Sequence, residues 1–236
     1  MAMRDKDELA EEYMKCYEKG TSLSKLKANS EEFNVFKLKQ GLPVKYISTK
    51  NKMNLPMDDK LIGYNGFYQR QKGFYLIPNE YKNKIISFVI RGLTHEYFDI
   101  HMMSPIKPMF GWYMFEDYKK GYPIIITEGS KDCIVLQQYY PYVLAMLTAG
   151  ATVTNLNILS CMTNKIILAY DKDDTGVKTT KAEIKKFQEK NFIVQILKPK
   201  RKDFGMDYNN NEYLKQEIIN KLQAFKTMKG LLGCLK

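Results

Sequence analysis

Two short acidic motifs stand in this chain, each directly after a run of apolar residues. The first is Glu128-Gly129-Ser130-Lys131-Asp132, which follows Pro-Ile-Ile-Ile-Thr. The second is Asp171-Lys172-Asp173-Asp174-Thr175-Gly176, which follows Lys-Ile-Ile-Leu-Ala-Tyr. Three or four carboxylates crowded together repel one another unless cations lie between them. Oxygen donors without His or Cys select a hard ion, magnesium or manganese. Ions held this way bind a triphosphate, polarise the reacting phosphorus and offset charge on the attacking and leaving oxygens. Glu128, Asp171 and Asp173 are the candidate catalytic ligands, with Asp132 as a supporting metal carboxylate. Either motif alone is commonplace at a strand end, and it is their order, with one strand-helix unit between, that carries weight.

The elements that must position these acids follow from periodicity. Beyond Gly121, PIIITEG reads as a buried strand, SKDCIVLQQYY as a helix, YVLAMLTAG as a strand and TVTNLNILSCM as a helix. KIILAYD, TGVKTTKAEIKKFQEK, FIVQILK and NNEYLKQEIINKLQAF continue the alternation. This βαβ series predicts a parallel sheet with helices on both faces. Its acids then lie at the carboxyl ends of strands, where open parallel sheets place ligand sites. Gly129 is expected to permit a sharp strand-to-helix turn, and alternation along an extended strand end to point Asp171 and Asp173 to one side. Upstream, Asp5 to Glu18 reads as an amphipathic helix ending at Gly20, and Thr21 or Ser22 as the cap of a short second helix. From Val44 onward, GFYLIP, KIISFVIRG and EYFDIHM are short, aromatic and β-branched, which predicts a small antiparallel sheet.

A chain of 236 residues with 44% apolar content can bury a real core. No apolar run approaches the roughly 18 residues of a membrane helix and the charged start lacks a secretory apolar stretch, so a cytoplasmic protein with no membrane partner is expected. Cys16, Cys133, Cys161 and Cys234 stand far apart with no CxxC pair and only His95 and His101 beside them, which argues against a zinc ribbon and for reduced thiols. The net charge is +11, and from Lys37 to Arg91 eleven basic residues face three acids. Such an excess suits a polyanionic partner. Lys198, Lys200, Arg201 and Lys202 place four more cations beside the proposed metal site, suited to a triphosphate or a nucleic-acid backbone, or else to a solvated loop.

The stretch from about Pro123 to Asp207 resembles the Toprim domain of primases, topoisomerases and certain nucleases, in which Glu and DxD hold the catalytic metals. A topoisomerase needs a further domain with a nucleophilic tyrosine, so primase and nuclease remain. The upstream run FYQRQKGFYLIP followed by KIISFVIRGL is similar to the pattern of DnaG-type primases, with Arg70 and Arg91 at its arginines. Ser104-Pro105 followed by Phe110 resembles that family's Asn-Ser-Pro and Phe elements, and LTAGATVT stands at its Gly-Thr loop. Where the family carries a third patch, Asp-Pro-Asp, this chain has Asp203, then Gly205, with Asp207 two residues late. The family's Lys before Ser-Pro is replaced by Ile100 or His101, with Lys107 a candidate substitute.

The resemblance implies an α/β protein. A basic mixed α/β lobe over residues 1–120 would precede a Rossmann-like Toprim domain with a parallel central sheet over 121–212, and a helix over 213–236 would close it. It implies a primase core that makes short RNA primers from NTPs on single-stranded DNA. Glu128, Asp132, Asp171, Asp173 and Asp203 would hold Mg²⁺ or Mn²⁺, and Arg70, Arg91, Lys198, Lys200, Arg201 and Lys202 would meet phosphates. Cellular primases add a zinc ribbon and a helicase-binding domain, so a core without them suits a phage or plasmid primase, or a fragment. Its partners would be a replicative helicase or a separate zinc-binding priming-specificity protein. Two alternatives stay open: a Toprim nuclease that activates water with the same acids, and a non-catalytic nucleic-acid-binding accessory protein.

Overall fold

The computed structural model describes residues 15, 21–22, 32–33, 44–48, 66–70, 74–81, 84–92, 98–102, 108–115, 117–147, 150–207 and 211–233. Packing divides the chain into two units, Glu11–Glu116 and a second that holds Asp117–Lys236.

The first unit is an antiparallel sheet of seven strands. These are β1 (Thr21–Ser22), β2 (Glu32–Phe33), β3 (Val44–Ser48), β4 (Gly66–Arg70), β5 (Phe74–Tyr81), β6 (Lys84–Gly92) and β7 (Phe98–Met102), in the order β1-β6-β5-β4-β3-β2 with β7 also on β6. The aromatic and β-branched segments form β5, β6 and β7 as their composition predicts. Thr21 and Ser22 pair with Ile85 and Lys84 of β6, a long-range bond that local capping propensity could not anticipate; the short helix they are expected to cap lies outside the described residues. Of the helix expected over 5–18 only Lys15 is described, and it is helical; Cys16, His95, Ser104, Pro105, Lys107 and Cys234 lie outside the described residues. Ile77, Ile86, Val89, Met109, Phe110 and Trp112 form the core of this unit. The buried Asn79 amide stitches the following chain to the sheet: it donates to the Met109 carbonyl at 2.8 Å and accepts from the Gly111 N–H.

The second unit holds a four-stranded parallel sheet made of β8 (Ile124–Thr127), β9 (Val143–Ala145), β10 (Lys165–Ala169) and β11 (Ile193–Ile196), in the order β11-β10-β8-β9. Its helices are α1 (Ser130–Gln137), α2 (Val153–Met162), α3 (Asp174–Gln188), α4 (Phe204–Asp207) and α5 (Asn211–Gly233). β8, β9 and β10 are buried almost throughout, as near-continuous apolar runs in a covered parallel sheet should be. Four of these helices fall in the segments whose periodicity predicts them. α4 is additional, α5 continues past Phe225 to Gly233, and β9 is only three residues long. Thr152 caps α2 through a capping box with Asn155. Cys133 and Cys161 are free, buried thiols. Among the described residues, no helix is long and apolar enough to cross a membrane.

Candidate active site

Both acidic motifs stand at the carboxyl end of the parallel sheet. Glu128 follows β8 directly, and Gly129 is extended, with φ −104° and ψ 155°, so its role is not a special backbone angle. It provides space instead: a Cβ there would sit 3.2 Å from Asp132 Oδ2. Asp171 and Asp173 lie past the end of β10, and strand alternation therefore does not set their directions. Asp173 is the N-cap of α3 and accepts the Gly176 N–H at 2.8 Å, which fixes the carboxylate at the start of the helix. A Cβ on Gly176 would come within 2.3 Å of the Asp171 carbonyl oxygen, so only glycine lets the first turn of α3 close against the strand end.

The charges act on one another. Glu128 is held above its ordinary pKa by burial first, then by the charges of Asp171 and Asp173. Asp171 is raised by burial, then by Asp203 and Asp173, with Lys202 opposing. Asp132 is pushed up to about 7 by burial, then by Asp171 and Asp203, against the Gly205 N–H, which donates to its Oδ1 at 2.9 Å. Five carboxylates from three strand ends thus stand within electrostatic reach of one another. Their donor chemistry, oxygen alone and mutually repelling, fits a hard divalent cation. Among the described residues, no three such side chains converge tightly enough to enclose an ion. Three of the acids are partly held by backbone: Asp173 by Gly176, Asp132 by Gly205, and Asp203 by the Met206 N–H at 2.6 Å.

The cationic loop runs along the same edge, fastened by the Lys172 N–H donating to the Lys202 carbonyl at 2.8 Å. Lys202 Nζ lies 3.8 Å from Asp173 Oδ2. Arg201 Nε lies 3.5 Å from Oδ1 of the fully buried Asp207. Asp207 also accepts the backbone N–H groups of Lys200 and Arg201, so it shapes the loop from beneath. Lys200 Nζ sits 5.8 Å from the Tyr213 ring centroid, and the Tyr213 hydroxyl donates to the Lys198 carbonyl. Arg70 and Arg91 belong to the other unit, where they pair in register with Phe74 and Tyr75, successive residues of β5.

Sequence reasoning passed over Glu183. It is 3% exposed on α3 and accepts the Ala151 N–H at 2.8 Å, anchoring the loop between β9 and α2, while Lys186 bridges it to the Ala151 carbonyl. Gly150 leaves the room it needs. The signal was its phase: Gly176, Glu183 and Phe187 share the buried face of α3. The phenol of buried Tyr170 is raised well above its ordinary range by burial, then by Glu183 and Glu128, which links this anchor electrically to the first motif.

A family profile for Toprim-like domains matches residues 125–210. A DNA primase of Clostridium acetobutylicum is 29% identical over 145 residues, which cover 58% of this chain and 24% of that protein. The zinc-binding and RNA polymerase domains of the Aquifex aeolicus primase superpose with a TM-score of 0.55 at 21% identity, over 76% of this chain and 43% of that one. A DnaG primase catalytic domain bound to single-stranded DNA gives 0.52 at 18% identity, over 72% and 55%. Residues 125–210 are a Toprim-like α/β domain, and the fold is that of DnaG catalytic cores. The chain spans about a quarter of the length of the curated relative it matches.

Proposed function

We propose that this chain, a Toprim-bearing protein resembling the DnaG-type primase core, synthesises short RNA primers from NTPs on single-stranded DNA. The observation that carries the reading is the gathering of Glu128, Asp171 and Asp173 at one sheet edge, with their charges acting on one another. Glu128, Asp171 and Asp173, with Asp132 and Asp203 in support, would hold Mg²⁺ or Mn²⁺, which would supply positive charge at the α-phosphate and at the attacking and leaving oxygens. Asp173 is preset for this task by its cap to Gly176, and Asp132 fixes the loop that carries Asp203 through the Gly205 N–H. The Lys198–Lys202 loop, shaped by Asp207, directs its cations toward the triphosphate or the nucleic-acid backbone. In the reaction a primer 3′ hydroxyl displaces pyrophosphate from the incoming NTP. Arg70, Arg91 and the basic residues around them guide the template strand, and a helicase or a zinc-binding protein supplies the start site. The setting is the cytoplasm of a bacterial or phage-infected cell. The domain assignment that accompanies this reading is a template-binding lobe over 1–120, a Toprim domain over 121–212 and a closing helix over 213–236.

The test is incubation of the purified chain with single-stranded DNA, labelled NTPs and Mg²⁺ or Mn²⁺, beside Glu128→Gln, with products resolved by size. Short oligoribonucleotides made only by the unmutated protein are the expected result. Degraded DNA without NTP incorporation would replace the reading with a nuclease, and neither product would overturn an enzymatic role for the chain alone.

A further inference from the structure

Among the basic residues beside the acidic site, three are already engaged. Lys202 faces Asp173, Arg201 faces Asp207, and Lys200 lies over Tyr213. Lys131, on the first turn of α1, differs. It is exposed, and among the described residues it makes no ion pair or hydrogen bond, although its charge reaches Asp132 beside it. Its aliphatic arm nonetheless has a defined neighbour in the Gly205 backbone. The arm lies across Gly205 so closely that a Cβ there would come within 2.4 Å of Cε, 2.8 Å of Cδ and 2.9 Å of Nζ. Gly205 is itself fixed by its N–H bond to Asp132 and stands two residues from Asp203.

An ammonium at the mouth of an acidic site, with no carboxylate in contact, is available to an external anion, and the charge-assisted hydrogen bond it forms offsets the ordering of its arm. Resting on the primase reading, we propose that Lys131 binds a phosphate oxygen of the substrate at this edge. The phosphate belongs either to the triphosphate of the incoming nucleotide or to the backbone of the nucleic-acid strand. Gly205 is the residue that leaves room for the arm. A methyl added there meets the far end of the Lys131 side chain first, so Gly205→Ala displaces Lys131 and keeps the N–H that Asp132 accepts.

The test uses the full chain in Mg²⁺ with two probes, a fluorescent methylanthraniloyl-ATP and a fluorescein-labelled oligothymidylate. Lys131→Gln, Lys131→Arg and Gly205→Ala are compared, with Lys178→Gln, an exposed helix lysine, as the charge control. Lys131→Gln should weaken one probe about tenfold, the loss of one charge-assisted hydrogen bond. Lys131→Arg should restore most of it, and Gly205→Ala should lose affinity while retaining its charge. The probe that responds identifies the source of the phosphate. If Lys131→Gln binds both probes as tightly as the unmutated chain, or if Lys178→Gln loses as much, the proposal is overturned. If Lys131→Gln weakens a probe but the unmutated chain makes no primers, the phosphate site stands and the primase reading falls. If primers are made and neither probe responds, the reverse holds.

Discussion

The two ends of the parallel sheet spend their polar groups in opposite ways. At the amino end, where β8 and β9 begin, tyrosines pack edge to face: Tyr118 on Tyr142 at 4.8 Å and Tyr140 on Tyr142 at 5.5 Å. Their hydroxyls donate to backbone carbonyls: Tyr118 to Tyr122, with the Met162 carbonyl 3.3 Å away, Tyr140 to Pro123, and Tyr142 to Asp117. At the carboxyl end the carboxylates of Glu128, Asp132 and Asp171 are raised by burial and by one another. One end satisfies its polar groups internally, and the other gathers more negative charge than Lys202, beside Asp173, offsets. That contrast marks the second as the working end, because folding alone would have no reason to retain it.

The comparison breaks most visibly at Asp171. Asp171→Asn should cut nucleotide incorporation by about a thousandfold, the loss of a catalytic metal ligand. The same variant should melt higher than the parent when metal is withheld, because it removes a repelling charge. A lower melting temperature in EDTA would show that the acids are structural. Next in size is Asp207, the acid at this end that behaves like the tyrosines. Asp207→Ala strands Arg201 and two backbone N–H groups and should cost about 3 kcal/mol in denaturant unfolding. A stable Asp207→Ala that had lost only metal affinity would move Asp207 into the metal cluster.

Asp132 sharpens the contrast through pH. Its folded pKa of about 7 lies above the value near 4 of an unfolded aspartate, so the native state keeps a proton that the unfolded chain releases. The stability this confers is complete below about pH 4 and is lost as pH rises through about 7. Metal-free protein should therefore melt several degrees lower at about pH 8 than at about pH 5. Asp132→Asn, which retains an acceptor for Gly205, should flatten that slope in thermal scans. Glu128 and Asp171 are raised as well and leave a residual slope of the same sign. Smallest is Tyr140→Phe at the opposite end, which leaves the Pro123 carbonyl without its donor and should cost about 1 kcal/mol with incorporation unchanged. An incorporation defect in that variant would undo the division between the ends.

The acids are recognisable before any fold is known because their context is local: an apolar strand, then Glu-Gly, and an apolar strand, then Asp-x-Asp with a glycine three residues on. That spacing does not announce the capping of α3 by Asp173, since alternation along an extended strand end is the expectation there. Spacing sets Asp203 ahead of Asp207 as a ligand candidate, but it could not say what Asp207 does, since both follow the same strand. One accepts an N–H of its own short helix, and the other is buried beneath the loop. Glu183 sits in a lysine-rich helix that reads as solvated on two sides, and only the approach of Ala151, 32 residues earlier, makes it an anchor.

By itself the sequence determined the alternation of strands and helices from Pro123 onward and the placing of acids after two strands. These depend on periodicity and on contacts a few residues apart. Only the tertiary structure decided which charges are spent and which are kept. Asp132 meets Gly205 across 73 residues, and the Lys131 arm can lie across Gly205 because that residue has no side chain. Burial and charge balance are properties of the space between elements, and no window along the chain contains them.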